Sequence, residues 1–382
     1  MTLIRGALQG LAAAGIALSS CASAQSNWAQ VAVPIYSPAQ VLQGLHQHST
    51  LPAAQRFARD AQALTAALQT GCTSTGADLT PVRALWVSTS QSWEQLSTVA
   101  IGPVLARRSQ RQIDFSPTRP ALITKAIQTA PQDAAAMERI GSPAKGLPAL
   151  EWLLWTQPIT PNTAACNYAV QVAQDVQREA LALQSEYAAL ANTDWPELAS
   201  DSAGTQLAEW VNQWLGGMER LYWAQMEKPL RASGTLDRPV ARKTTQDKTA
   251  NNKSAKAPAL LADWPRSASG NTVASWSAQW AVLRSMAVFS ASGLAQAPQP
   301  GQNLVSLESY LRSKGHNPQA DALVKAVERA DALVRSLGSS RNLDQRQVLK
   351  TARALAAVKT VVAQQVAPAL DITLGFSDAD GD

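Results

Sequence analysis

Apolar residues return at three- and four-residue spacing along most of this chain, the period of a helix with one buried face. Phe57, Ala61, Leu64 and Leu68 form one stripe, which Gly71 ends. Leu85, Trp86, Thr89, Trp93 and Leu96 form a second, opened by Thr80-Pro81 and closed by Gly102-Pro103. A third runs over about 162–190 with Val172, Val176, Ala180, Leu183 and Tyr187 on one face, and a fourth carries Leu207, Trp210, Trp214, Met218 and Leu221. Further helices are expected over 272–289, 304–312, 318–337 and 343–366. No stretch alternates with period two over the length of a strand, so the spacing predicts an all-α fold.

Turn formers divide the stripes into two sets. Thr193-Asp194-Trp195-Pro196-Glu197 separates two long periodic segments. Each side has the helices for a four-helix bundle, so we expect two bundles packed together, 51–195 and 196–382. Leu147-Pro-Ala-Leu150-Glu151-Trp-Leu-Leu154 superposes on Leu304-Val-Ser-Leu307-Glu308-Ser-Tyr-Leu311 with Leu, Leu, Glu and Leu in register. Internal duplication and coincidence in a leucine-rich chain both account for that match. With 46% hydrophobic and 16% charged residues the cores are large. Trp86, Trp93, Trp210 and Trp214 lie on the stripes, and we read them as packing rather than as carbohydrate or haem contacts.

The first residues read as an export signal. Arg5 precedes a short apolar run from Leu8 to Leu18, too short to span a bilayer. Leu18-Ser19-Ser20-Cys21 matches a lipobox, which would leave residues 1–20 as signal peptide and Cys21 as the lipidated end. Ala22-Ser23-Ala24 offers ordinary cleavage after Ala24 instead, giving a soluble periplasmic protein. Either way the chain is expected to leave the cytoplasm, with the membrane as partner if Cys21 is acylated. Residues 21–50, with Pro34 and Pro38 and few periodic apolar positions, read as a tether. In that compartment Cys72 and Cys166 are expected to pair, a closure contributing about 4–5 kcal/mol in the chain-entropy model.

Net charge is +5, and the stretch from Arg231 to Lys256 accounts for it with seven Lys/Arg and two Asp. The run from Arg231 to Lys256 has almost no large apolar residue, and segment 231–262 reads as a long solvated basic loop. Nucleic acid is not expected as a partner.

The most distinctive run is Lys145-Gly146-Leu147-Pro148-Ala149-Leu150-Glu151-Trp152-Leu153-Leu154-Trp155. Gly146 and Pro148 open a helix, and Leu147, Leu150, Leu154 and Trp155 give it an apolar face. Glu151 is the one ionisable group inside it, and a carboxylate among such neighbours needs a partner. The run resembles the signature helix of the imelysin-like family of bacterial envelope proteins. Trp86 and Trp93 ahead of Ala100-Ile101-Gly102-Pro103, the block Ile113 to Arg119, and the ending Leu374-Gly375-Phe376-Ser377-Asp378-Ala379-Asp380-Gly381-Asp382 are similar to further family blocks in the same order. Many members carry Gly-x-His-x-x-Glu where this chain has Pro148, and a tryptophan where it has Ser116. The resemblance implies two helical-bundle domains with a site where they meet, an exported protein linked to iron uptake, and a peptidase name.

A zinc peptidase would use His-Glu-x-x-His on a helix, and the chain has no such motif. Of its three histidines, His46 and His48 are expected at the surface and His316 in a turn. Carboxylates remain, and they suit hard cations or Fe(III). Glu151 is read as a metal ligand, a hydrogen-bond anchor at the junction, or half of an ion pair with an arginine such as Arg119. Asp378, Asp380 and Asp382 resemble the opening of a calcium loop without its downstream Glu, so a ligand segment and a solvated tail both stay open. Our expectation is a non-catalytic protein binding a metal ion, with iron favoured over other divalent cations, or a small ligand. Glu151, Arg119, Asp114 and the C-terminal aspartates would form the site, with 371–382 folded over the junction. A metallopeptidase and a structural module of the envelope are the alternatives.

Overall fold

Proline at the first position of a helix costs nothing, because its missing N–H would be unpaired there anyway. Pro38 begins α1 (Pro38–Leu45) in this way, behind a capping box in which Ser37 and Gln40 hydrogen-bond each other's backbone. The computed structural model describes residues 28, 31–74, 78–195, 199–233, 263–289, 296–338 and 343–375, and every regular element among them is helical. None of these helices is long and apolar enough to cross a membrane. One wide turn, His46–Thr50, carries α1 into α2 (Leu51–Thr73) without a break.

The expected tether over 21–50 is thus corrected for its second part. Residues 38–50 are helical, and Val41, Leu42 and Leu45 are buried. Proline was read as a breaker where it serves as a start. His46 is corrected with them: it is buried, its ring stacks on Trp195 at 5.1 Å and its Nδ1 lies 3.1 Å from Thr50 Oγ1. His48 is exposed, with Nε2 3.1 Å from Gly301 O.

The chain continues with α3 (Thr80–Ser97), the short α4 (Gly146–Glu151) and α5 (Ala164–Ala191). Helices α2, α3 and α5 pack around Phe57, Leu64, Trp86, Trp93 and Leu183, with α4 laid against them through Leu147 and Leu150. A disulfide joins Cys72 at the end of α2 to Cys166 at the start of α5, Cα to Cα 5.5 Å.

A second core lies under α6 (Ser200–Glu219), α7 (Thr272–Ala287), the short α8 (Leu307–Ser313), α9 (Asn317–Arg335) and α10 (Gln345–Val361). Trp210, Trp214, Trp276, Leu323 and Leu355 fill it. Tyr36, Leu42 and Leu45 from the chain's beginning belong to this core too, because α1 packs on α6. The second core therefore draws on residues from both sides of the expected first bundle. Helix α7 also packs on α3, and α6 passes so close that a Cβ on Gly217 would sit 2.3 Å from Thr98 O. These two crossings bring the halves together beside α4. At the other end, Gly375 N donates to Asn212 Oδ1 at 2.9 Å, and Ile372 and Leu374 pack against the second core. Phe376, Asp378, Asp380 and Asp382 lie outside the described residues, as do Cys21 and most of the basic loop.

Candidate functional site

Gly146 starts α4 at φ +77, and a Cβ there would lie 2.3 Å from Ile113 O, so only glycine lets the two backbones meet. Trp86 Nε1 donates to Leu147 O at 3.1 Å and fixes the helix from below. Glu151 then emerges at its end, buried, and its Oε1 accepts the backbone N–H of Ser269 at 2.9 Å. Ser269 belongs to the turn that leads into α7, so this bond crosses from one half to the other.

The same turn delivers a guanidinium. Arg266 holds φ +60, with its carbonyl accepting from Asn271 N at 3.0 Å and from Ser269 Oγ at 3.1 Å. Its side chain is 4% exposed, and Nη2 donates to Asp114 Oδ2 at 2.7 Å and to Glu94 Oε1 at 3.2 Å. The guanidinium stands 5.6 Å from the ring centre of Trp86, a cation–π distance. Buried Arg266 Nε has no hydrogen-bond partner among the described residues.

Glu94 comes from α3 and also accepts from Ser275 Oγ of α7 at 2.7 Å. Burial pushes its carboxyl up to about 7; the Arg266 charge opposes this rise and the Asp114 charge adds to it. Beside it Gln225 and Gln279 exchange amide hydrogen bonds of 2.9 and 3.1 Å.

Glu94, Asp114, Glu151, Gln225, Arg266 and Gln279 line a cavity of about 330 Å³ between the halves, with Trp93 and Pro148 among its apolar walls. A second hollow of about 280 Å³ shares Pro148, Glu151 and Arg266 with it. Of the residues expected at the site, Glu151 and Asp114 line this cavity. Arg119 does not; it is exposed just ahead of helix Pro120–Thr129, and Arg266 is the guanidinium that faces both carboxylates. Glu94, Arg266, Ser275 and Gln279 were missed. Glu94 left a trace, as the one carboxylate in an α3 otherwise charged only at Arg83. Arg266 follows Trp264-Pro265 in the turn that precedes α7, a position easily assigned to the solvated loop before it.

The model of the family described as Imelysin matches residues 50–369. The chain belongs to the imelysin family. An Imelysin-like protein from Psychrobacter arcticum has the same fold, with a TM-score of 0.67 at 21% identity over 91% of this chain and 100% of that one. A protein described as iron-regulated protein A precursor, from Parabacteroides distasonis, aligns with a TM-score of 0.63 at 15% identity over 88% of this chain and 95% of the other. Among curated proteins none matches. Both positions where this imelysin departs from the expected pattern, Ser116 and Pro148, line the cavity.

The donor set does not suit a bare metal ion. Among the described residues no three His, Cys, Asp or Glu side chains group as ligands. Asp114 and Glu94 are already bridged by one cationic nitrogen, and Glu151 is engaged by a backbone N–H. Ser275 is no better placed as a nucleophile, since it is absent from the lining and sits behind Glu94.

Proposed function

We propose that this imelysin is a non-catalytic binding protein of the cell envelope that holds a small polar organic ligand in the cleft between its halves. The observation that carries the reading is the buried Arg266–Glu94–Asp114 network opening on a cavity. Burying Arg266 and Glu94, with Asp114 half-buried beside them, is seldom a gain for stability alone, since desolvation offsets their attraction. Glu151, Arg266 and the glutamine pair supply converging polar groups on an apolar wall, the make-up of a small-molecule pocket. Iron would enter such a cleft within a chelate rather than as a bare ion. Export rests on the signal-like N-terminus and is in keeping with the precursor form named for the Parabacteroides protein. Attachment through Cys21 is part of the proposal. Peptidase chemistry finds no histidine in the lining: His46 is buried against Trp195 and His48 lies beside Gly301.

Protein purified from its native envelope tests this. Mass spectrometry of the denatured wild type is expected to release one organic molecule, present at less than a tenth of that level in Glu151→Ala. Cys21→Ala should move the chain from the membrane to the soluble fraction. A wild type that carries nothing and shows no thermal shift with any member of a metabolite and iron-chelate panel overturns the binding role.

A further inference from the structure

We infer that Arg266 is the resident cation of this cleft: its guanidinium takes the position that a divalent metal ion would occupy between Glu94 and Asp114, so that the cleft is complete without metal. The inference deepens the binding role proposed above and is tested separately from it.

Three observations lead to it. First, a single nitrogen, Nη2, bridges carboxylates from two separate segments at 2.7 and 3.2 Å, as a shared metal would, and Glu151 adds its attraction to the same charge. Carboxylate oxygens bind such metals at about 2.0–2.6 Å. An ion within that reach of both oxygens would crowd Nη2, so the two cations exclude each other. Second, the side chain is fastened from both halves. The turn of 265–271 closes on its carbonyl, Thr272 Oγ1 donates to Pro265 O at 2.8 Å, and Trp86 lies under the guanidinium. The residue is held at a positive φ that side chains avoid, a conformation that persists only where surrounding structure imposes it. Third, the guanidinium is not saturated by the protein. Arginine has five N–H donors, and Nε–H is buried without a partner among the described residues. That donor is buried and unpaired among the described residues, so the acceptors around it do not exhaust the guanidinium.

The test compares cations on wild type and variants. Manganese(II) titrated into metal-stripped wild type, followed by electron paramagnetic resonance, is expected to find no stoichiometric site in the cleft, and chelator should leave the melting temperature unchanged. Arg266→Ala should melt several degrees lower, and millimolar manganese(II) or methylguanidinium should each recover at least half of that loss. An arginine that only packs would give no recovery from either cation. If Arg266→Ala does not fold, the shorter, uncharged Arg266→Gln takes its place, with the same expected recovery. One manganese per wild-type chain that Glu94→Gln releases overturns the inference, and so does a folded variant deaf to both cations. A wild type that bound manganese yet still carried an organic ligand would remove this inference and leave the binding role intact.

Discussion

The same Leu-x-x-Leu-Glu pattern lies within α4 and across the start of α8, and the two sites treat its carboxylate in opposite ways. At the end of α4, Glu151 accepts a backbone N–H from the other half and looks onto a cavity. In α8, Glu308 is 2% exposed and is closed off by its own helix: Arg312, four residues on, gives it two hydrogen bonds of 3.0 and 3.1 Å. Phe289 N adds a third at 3.0 Å, and Trp28 covers the arginine at 5.0 Å. Burial still raises the Glu308 pKa, against the pull of Arg312. A partner on the same helix makes a carboxylate part of the scaffold, whereas one delivered from a distant turn leaves room for a ligand. The difference lies in where the partner group comes from, not in the helix that bears the acid.

The strongest way to break the comparison is Arg312→Ala. If Glu308 is scaffold, removing its counter-charge leaves a buried carboxylate alone and should cost about 3–5 kcal/mol in urea unfolding. A loss below about 1 kcal/mol, the scale of an exposed pair, would place Glu308 with the open site instead.

Glu94 gives a smaller, pH-dependent effect. Its carboxyl titrates near 4.5 when unfolded and at about 7 when folded. A raised acid pKa means the folded state holds its proton more tightly, so stability is full below pH 4.5 and is lost as pH rises through 7. His46 acts in the opposite sense: burial lowers it from 6.5 to about 4, so its contribution is present above 6.5 and fades on acidification. Comparing wild type with Glu94→Gln cancels the histidine. The variant should gain on wild type by about 1–3 kcal/mol between those limits, read from melting curves at several pH values. Parallel curves would mean that the cleft does not hold Glu94 as a protonated acid.

Least affected should be the stability of Glu151→Gln. The amide oxygen can still accept from Ser269 N, so unfolding should change by under about 1 kcal/mol while ligand content falls. A loss as large as that of Arg312→Ala would erase the distinction between the two helices.

The helices were legible because their partners recur every three or four residues within the same segment. Stripes such as Phe57 to Leu68 and Leu207 to Leu221 needed no distant information. The cleft did, since Glu94 meets Arg266 across 172 positions and Ser275 across 181. No local pattern links them. Arg119 was the nearest arginine to hand in the matching block, and proximity along the chain was a poor guide to proximity in space. Glu151 was found because a lone acid in an apolar helix advertises a need, though not the identity of whatever meets it. The start of α1 was misjudged for a related reason: proline ends one helix and begins the next with the same ring.

The continuous passage from α1 into α2 bears on how such a chain can be assembled. Translation delivers α1 before any helix it packs on, and α6 follows only after the whole first core has been made. Burial of Val41, Leu42 and Leu45 needs a helix far along the chain, a long-range closure of the kind that slows folding. A fragment beginning at 196 would inherit Trp210 and Trp214 without α1, which packs on the helix that carries them.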